Sequence, residues 1–168
     1  MMTAAAMAFA VLLGSAVQAL LPASVLFGAA KAPVLLGTAL YYALTRSRNV
    51  TFAAGLLAGL FQDANGLVPL GFSSVSFCLV GLVVYRYRDV VFVYRAVTHM
   101  VIGAVSAGAV TMLLALALAG NGMILLSPAW LVSKVIGSMV LGAVTIPIVF
   151  RFIEGLETRL GIQEARAA

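Results

Sequence analysis

The chain has 168 residues, 64% hydrophobic and only 9% charged, with a formal net charge of +5 and a mean hydropathy of +1.16. A soluble domain carries about 25% charged residues; ten basic and five acidic side chains are too few to cover a water-facing surface. That excludes a soluble enzyme, a disordered tail and a nucleic-acid-binding domain, and points to an all-α integral membrane protein. At about 20 residues per crossing, the length allows roughly five to seven spans.

Charges punctuate the sequence: residues 1–30, 32–45, 49–62, 64–85, 96–133 and 135–150 contain none. The first span is 3–21, ended by Pro22. Residues 1–23 lack a basic n-region and their apolar stretch is too long for an h-region, so they read as a retained span. The second is 24–45 at its longest, with a break expected at Lys31-Ala32-Pro33 that would leave 24–32 interfacial. The third, 49–63, follows the turn Arg46-Ser47-Arg48-Asn49. The fourth is 70–85. The fifth, 96–118, ends at Gly120-Asn121-Gly122. The sixth is 128–150, with Trp130 at an interface position and Pro147 as a kink site. Runs this long and rich in leucine, valine and alanine argue against a barrel of alternating strands. Together the spans make a single membrane domain over 1–168, with a cytoplasmic tail at 151–168 in which Ile153, Leu156 and Leu160 share a helix face.

Six spans put the termini, loop 2–3 and loop 4–5 on one side. That side holds Arg46, Arg48, Arg86, Arg88, Arg95, Arg151, Arg159 and Arg166, eight of the ten basic residues; the other holds Lys31 and Lys134. The positive-inside rule then makes both termini cytoplasmic. Arg46, Arg48, Arg86, Arg88 and Arg95, with Tyr85, Tyr87 and Tyr94, form a basic rim suited to topology and anionic headgroups, or to an acidic cytoplasmic partner.

The most informative stretch is GLLAGLFQDANGLVPLG at 55–71. Gly55 and Gly59 form a smooth stripe that lets helix backbones approach. Asp63 lies roughly 22 Å of helix rise from the turn at Asn49, at or below the far interface, where a carboxylate needs a partner or water. Lys31 and Lys134 are the candidate charge partners. The functional reading makes Asp63 part of a substrate, ion or partner site; the structural one makes it a buried strut, or the cap of span four across the Asn65–Gly71 turn, in which Pro69 and Gly71 fit a sharp bend. Ala10 with Gly14, Ala104 with Gly108 and Ser138 with Gly142 repeat the small-residue spacing and suit internal packing or a partner's transmembrane helix.

No constellation for catalysis stands out. Cys78 reads as a small buried hydrophobe, and one cysteine and one histidine supply no metal-ligand spacing. Gly71-Phe72-Ser73-Ser74 faintly resembles a Gly-x-Ser nucleophile motif, but the topology puts Ser73 and its would-be base His99 at opposite ends. His99 reads as a buried, hydrogen-bonded residue. Asp63 and Asp89 also fall on opposite sides, so no acid pair forms. The expectation is a non-enzyme without cofactor or metal.

Tyr41-Tyr42-Ala43-Leu44, a short basic turn, the 55–71 stretch and a span ending in basic residues together resemble the rod shape-determining MreD family. Gly55, Gly59, Leu60, Asp63, Leu70 and Gly71 match its pattern of a Gly-Leu-rich run leading to an aspartate and then a Leu-Gly pair. Pro147 late in the last span also fits. The chain departs from the family in lacking a basic N-terminal tail and in carrying Lys31-Ala32-Pro33 in its first loop. The resemblance implies a bacterial inner-membrane component of the cell-elongation machinery, with an MreC-type bitopic protein as partner. It further implies action beside MreB filaments, RodA and a class B penicillin-binding protein. The family is similar in fold to the S-components of energy-coupling-factor vitamin transporters, which supplies the alternative function of substrate binding. Such a component needs convergent polar groups, for which Gln62, Asp63, Asn65, Ser73, Ser74 and Asn121 are available. It also needs a small-residue docking face on span one, which Ala4 with Ala8 and Ala6 with Ala10 supply.

Overall fold

A computed structural model describes residues 2–20, 31–66, 69–88, 96–122 and 127–159, without the side chains of 2–5 and 96. Among these the chain is all-helical, with no strand. The helices are α1 (Met2–Leu20), α2 (Val34–Thr45), α3 (Arg48–Ala64), α4 (Phe72–Arg86), α5 (Ala96–Gly120) and α6 (Pro128–Arg159). Six helices thus occur at the positions of the six expected spans, but among the described residues α2 and α4 are shorter than a membrane crossing requires. Val97–Gly120 of α5 and the whole of α6 are long and apolar enough to cross a membrane.

Two boundaries differ from expectation. The second element is 12 residues long, not the 22 of 24–45: the break expected at Lys31-Ala32-Pro33 is present, and α2 begins only after it; residues 24–30 lie outside the described residues. Proline has no N–H to give, but its carbonyl accepts the first helical bond from Gly37 N–H (3.0 Å). The last element is longer than 128–150: α6 runs for 32 residues with Pro147 inside it. The amphipathic tail is therefore a continuation of α6 as far as Arg159, with Ile153 buried and Leu156 half-buried. Leu160 and the rest of the tail lie outside the described residues.

α2 is the centre of the bundle. It packs against α1, α3, α4 and α6, and every residue from Val34 to Leu44 is buried. An element surrounded on all sides has no need of an amphipathic pattern, and the run VLLGTALYYAL has none. Leu35, Leu36, Leu40 and Tyr42 join Val11, Ala54, Ala58, Phe77, Ile146 and Phe150 in one continuous core.

Small residues set how closely the outer helices approach. A Cβ on Gly103 would lie 2.6 Å from the carbonyl oxygen of Gly142, and one on Gly142 would lie 2.6 Å from Ala107 Cβ. Ser138 and Thr111 exchange a hydroxyl hydrogen bond of 2.8 Å at the same crossing. Gly108 faces Met139 on α6, and Gly14 faces Thr38 and Leu35 on α2. Ala10, Gly14, Gly108, Ser138 and Gly142 thus serve packing inside the bundle, whereas Ala104 is only half-buried.

The outward surface is apolar. Val132, Ile136, Val140, Val144, Ile148 and Phe152 are exposed at every fourth position of α6. Phe52, Leu56 and Leu60 repeat the pattern on α3, and Val75, Leu79 and Val83 on α4.

Candidate functional site

The conspicuous polar side chains gather at the two ends of the bundle. One end contains the close of α1 and α3 and the start of α2 and α4. There Asp63, only 2% exposed, accepts from Gly71 N–H (2.7 Å) and from Ser73 N–H (3.2 Å to each carboxylate oxygen). The first N–H groups of a helix lack intrahelical acceptors, and the positive end of the helix dipole favours an acid. Asp63 therefore caps α4 from the preceding helix. Gly71 permits the arrangement by adopting φ +105°, the left-handed region that side chains disfavour.

A second cap of the same design lies beside it. Gln18, buried on α1, accepts from Leu35 N–H (3.0 Å) at the start of α2. Its amide also donates to Gln62 Oε1 on α3. One turn earlier on α1, Ser15 accepts from the Asn65 amide (2.6 Å). The four helices α1–α4 are thus joined by a single polar layer, in which side chains of α1 and α3 satisfy the orphan backbone donors of α2 and α4.

This layer corrects the expected charge pairing of Asp63. Neither Lys31 nor Lys134 forms an ion pair with it; backbone N–H groups take that role. Lys31 is exposed, and the Lys134 ammonium lies 4.5 Å over the Trp130 ring one turn back along α6. The long Lys134 stem can lie along apolar surface while its head stacks on an aromatic face.

The other end holds a second polar group. The Arg46 guanidinium, at the close of α2, pairs with Glu157 of α6 at 3.1 Å, and both side chains are about nine-tenths buried. Tyr41 donates its hydroxyl to Glu157 Oε2 (2.9 Å). Arg88 donates to the carbonyl of Arg46 (2.9 Å) and stacks on Tyr85 at 4.5 Å. This fastens the end of α4 to the α2–α3 turn. His99 packs on Phe150 with ring centroids 4.6 Å apart; the residue is half-buried rather than buried, and its enclosed Nε2 has no hydrogen-bond partner, where a buried, hydrogen-bonded histidine is expected. Arg48 and Arg86 of the basic rim are exposed; Arg95 lies outside the described residues.

The glycine stripe faces inward. A Cβ on Gly55 would lie 3.2 Å from Cys78 N, and one on Gly59 would run into the backbone of Ser74. Gly55, Gly59, Asp63 and Gly71 are therefore brought together as one α3–α4 unit, two closing the helix pair and two closing the turn. Gln18 and Glu157 were not evident from the sequence as site residues. Each had a faint signal: Gln18 is the only amide side chain in span one, and Glu157 lies four residues after Ile153, on the apolar face of the tail.

Replacing Arg46 by alanine is expected to cost about 3–5 kcal/mol, because it leaves a buried acid without its counterion. Glu157→Gln should cost less, since Tyr41 keeps an acceptor. A double-mutant cycle on unfolding in detergent measures the coupling; near-additive losses would show that the pair contributes nothing.

No protein-family model, curated protein or solved structure matches the chain.

Proposed function

We propose that the chain is a six-span bundle of the bacterial inner membrane with cytoplasmic termini. It acts as a non-enzymatic, MreD-like component of the cell-elongation complex, holding an MreC-type bitopic partner and supporting peptidoglycan synthesis along the side wall beside MreB, RodA and a class B penicillin-binding protein. The observation that carries the reading is the α3–α4 unit. The residues that bear the family resemblance, Gly55, Gly59, Asp63 and Gly71, each have a separate mechanical task in it.

The exposed apolar stripes of α3, α4 and α6 support the membrane setting, because soluble monomers rarely expose contiguous apolar patches beyond a few hundred Å². The asymmetry of basic residues supports the orientation. The scaffold reading is favoured over a vitamin-binding S-component by the use of the polar groups. Gln62, Asp63 and Asn65 are bonded within the polar layer. Ser74 donates to the Leu56 carbonyl and Asn121 to that of Ala117. A ligand would have to displace these bonds.

Co-expression with an MreC-type protein carrying a different tag should give a complex that survives detergent extraction and two-step purification. Separate elution, or tight binding of a vitamin by the purified chain, would count against the scaffold.

A further inference from the structure

The α3–α4 hairpin presents one outward face whose composition changes sharply at one end. Successive residues of a helix are about 100° apart. On α3 the sequence at each crossing is a buried residue, a glycine against α4, then an exposed apolar residue: Ala54-Gly55-Leu56 and Ala58-Gly59-Leu60. On α4 the same order recurs in Ser73-Ser74-Val75 and Phe77-Cys78-Leu79, with Ser74 and Cys78 the residues that meet the glycines. The two helices are antiparallel, so the residue following each contact turns to the same side. Phe52, Leu56 and Leu60 therefore lie beside Val75, Leu79 and Val83 on one face.

Both stripes end in cationic and aromatic groups at the same end of the hairpin. Arg48 lies one turn before Phe52, and Arg86 and Tyr87 lie one turn after Val83; all three are exposed. The bond from Arg88 to the Arg46 carbonyl (2.9 Å) holds the two chain segments together there. Arg46 is engaged by Glu157, whereas Arg48 and Arg86 extend from the rim toward solvent.

We propose that this face binds an anionic phospholipid of the cytoplasmic leaflet. Its acyl chains lie along the paired stripes, and its phosphate is held by Arg48 and Arg86. The inference rests on the membrane reading but not on the elongation function. Guanidinium groups pair well with phosphate oxygens, an exposed Tyr suits the headgroup level, and apolar stripes of three residues match the upper part of an acyl chain. A zwitterionic lipid satisfies the stripes equally but offers the arginines no net charge.

The full chain in detergent can be titrated with phosphatidylglycerol and with phosphatidylcholine of the same acyl chains, bound lipid being counted by native mass spectrometry. Phosphatidylglycerol should be preferred, and Arg48→Gln and Arg86→Gln should each reduce that preference about fivefold. Arg159→Gln, at the end of α6, should leave it unchanged. Excess glycerol phosphate should fail to displace the lipid. Equal retention of both lipids, a preference that survives the double substitution, or displacement by the free headgroup would each overturn the proposal. A photo-crosslinker at Leu56 or Leu79 in native membranes should give lipid adducts; a discrete protein adduct would assign the face to a partner helix instead. Release of the chain from membranes by carbonate would overturn the membrane reading itself, and is scored separately.

Discussion

Asp63→Ala is expected to be among the most damaging single substitutions in the protein. It leaves Gly71 N–H and Ser73 N–H without acceptors, and Ser73 is only 1% exposed. The buried Ser73 donor left unmade costs about 1–3 kcal/mol and the half-buried Gly71 N–H the lower end of that range, so the combined loss should be about 2–4 kcal/mol. Asp63→Asn keeps one side-chain carbonyl to accept from Gly71, and should recover part of it. The two lysines discriminate the cap from an ion pair: Lys31→Ala and Lys134→Ala should leave stability nearly unchanged. Thermal unfolding in detergent tests this. A lysine variant as unstable as Asp63→Ala, or a neutral Asp63→Ala, would show that the backbone cap is not what holds the acid.

The second large effect is expected at Gly59. Any Cβ there overlaps the Ser74 backbone, and a helix backbone cannot rotate away as a side chain can. The pair must separate, exposing packed surface along its length. Overpacking typically costs about 1–3 kcal/mol and sometimes more, and Gly59→Leu should lie at or beyond the upper end. A graded series separates this from a general loss of glycine. Gly55→Ala, whose Cβ would sit 3.2 Å from Cys78 N, should be milder. Gly120→Ala meets nothing within 4 Å and should be neutral or slightly stabilising, as alanine favours helix. Yield of monodisperse protein and unfolding midpoint should follow the order Gly59, Gly55, Gly120. Equal behaviour of all three would mean that the α3–α4 approach is not limited by backbone contact.

The glycine stripe was legible because its cause is local: residues four apart on a helix share a face whatever lies opposite. The same holds for helix number and for most boundaries, which follow from apolar run length and from charge, proline and glycine punctuation. Where two signals competed, the sequence was less decisive. Pro33 marked a break, but hydrophobicity alone extended span two back to Ser24. The fall from apolar to mixed composition after Phe150 suggested an end to span six, yet Ile153 still had a core to pack on and Glu157 a buried counterion in Arg46, so α6 continued to Arg159.

The partners of Asp63 were a matter of choice among neighbours. Its depth called for compensation, for which charge arithmetic offered two lysines and the Asn65–Gly71 turn offered the cap of the next helix. Only the approach of α3 to α4, together with the left-handed turn at Gly71, brought backbone donors closer than either. Gln18 and Glu157 belong to the same class: an amide in one helix and an acid in a tail acquire meaning when Leu35 N–H and the Arg46 guanidinium come to lie beside them. Composition and short-range periodicity were enough to fix the helical class, the six helices of the described residues and the asymmetry of charge. The tertiary structure alone decided which polar groups meet, because hydrogen bonds and ion pairs between helices are set by the register of packed surfaces, and many registers are compatible with the same apolar faces.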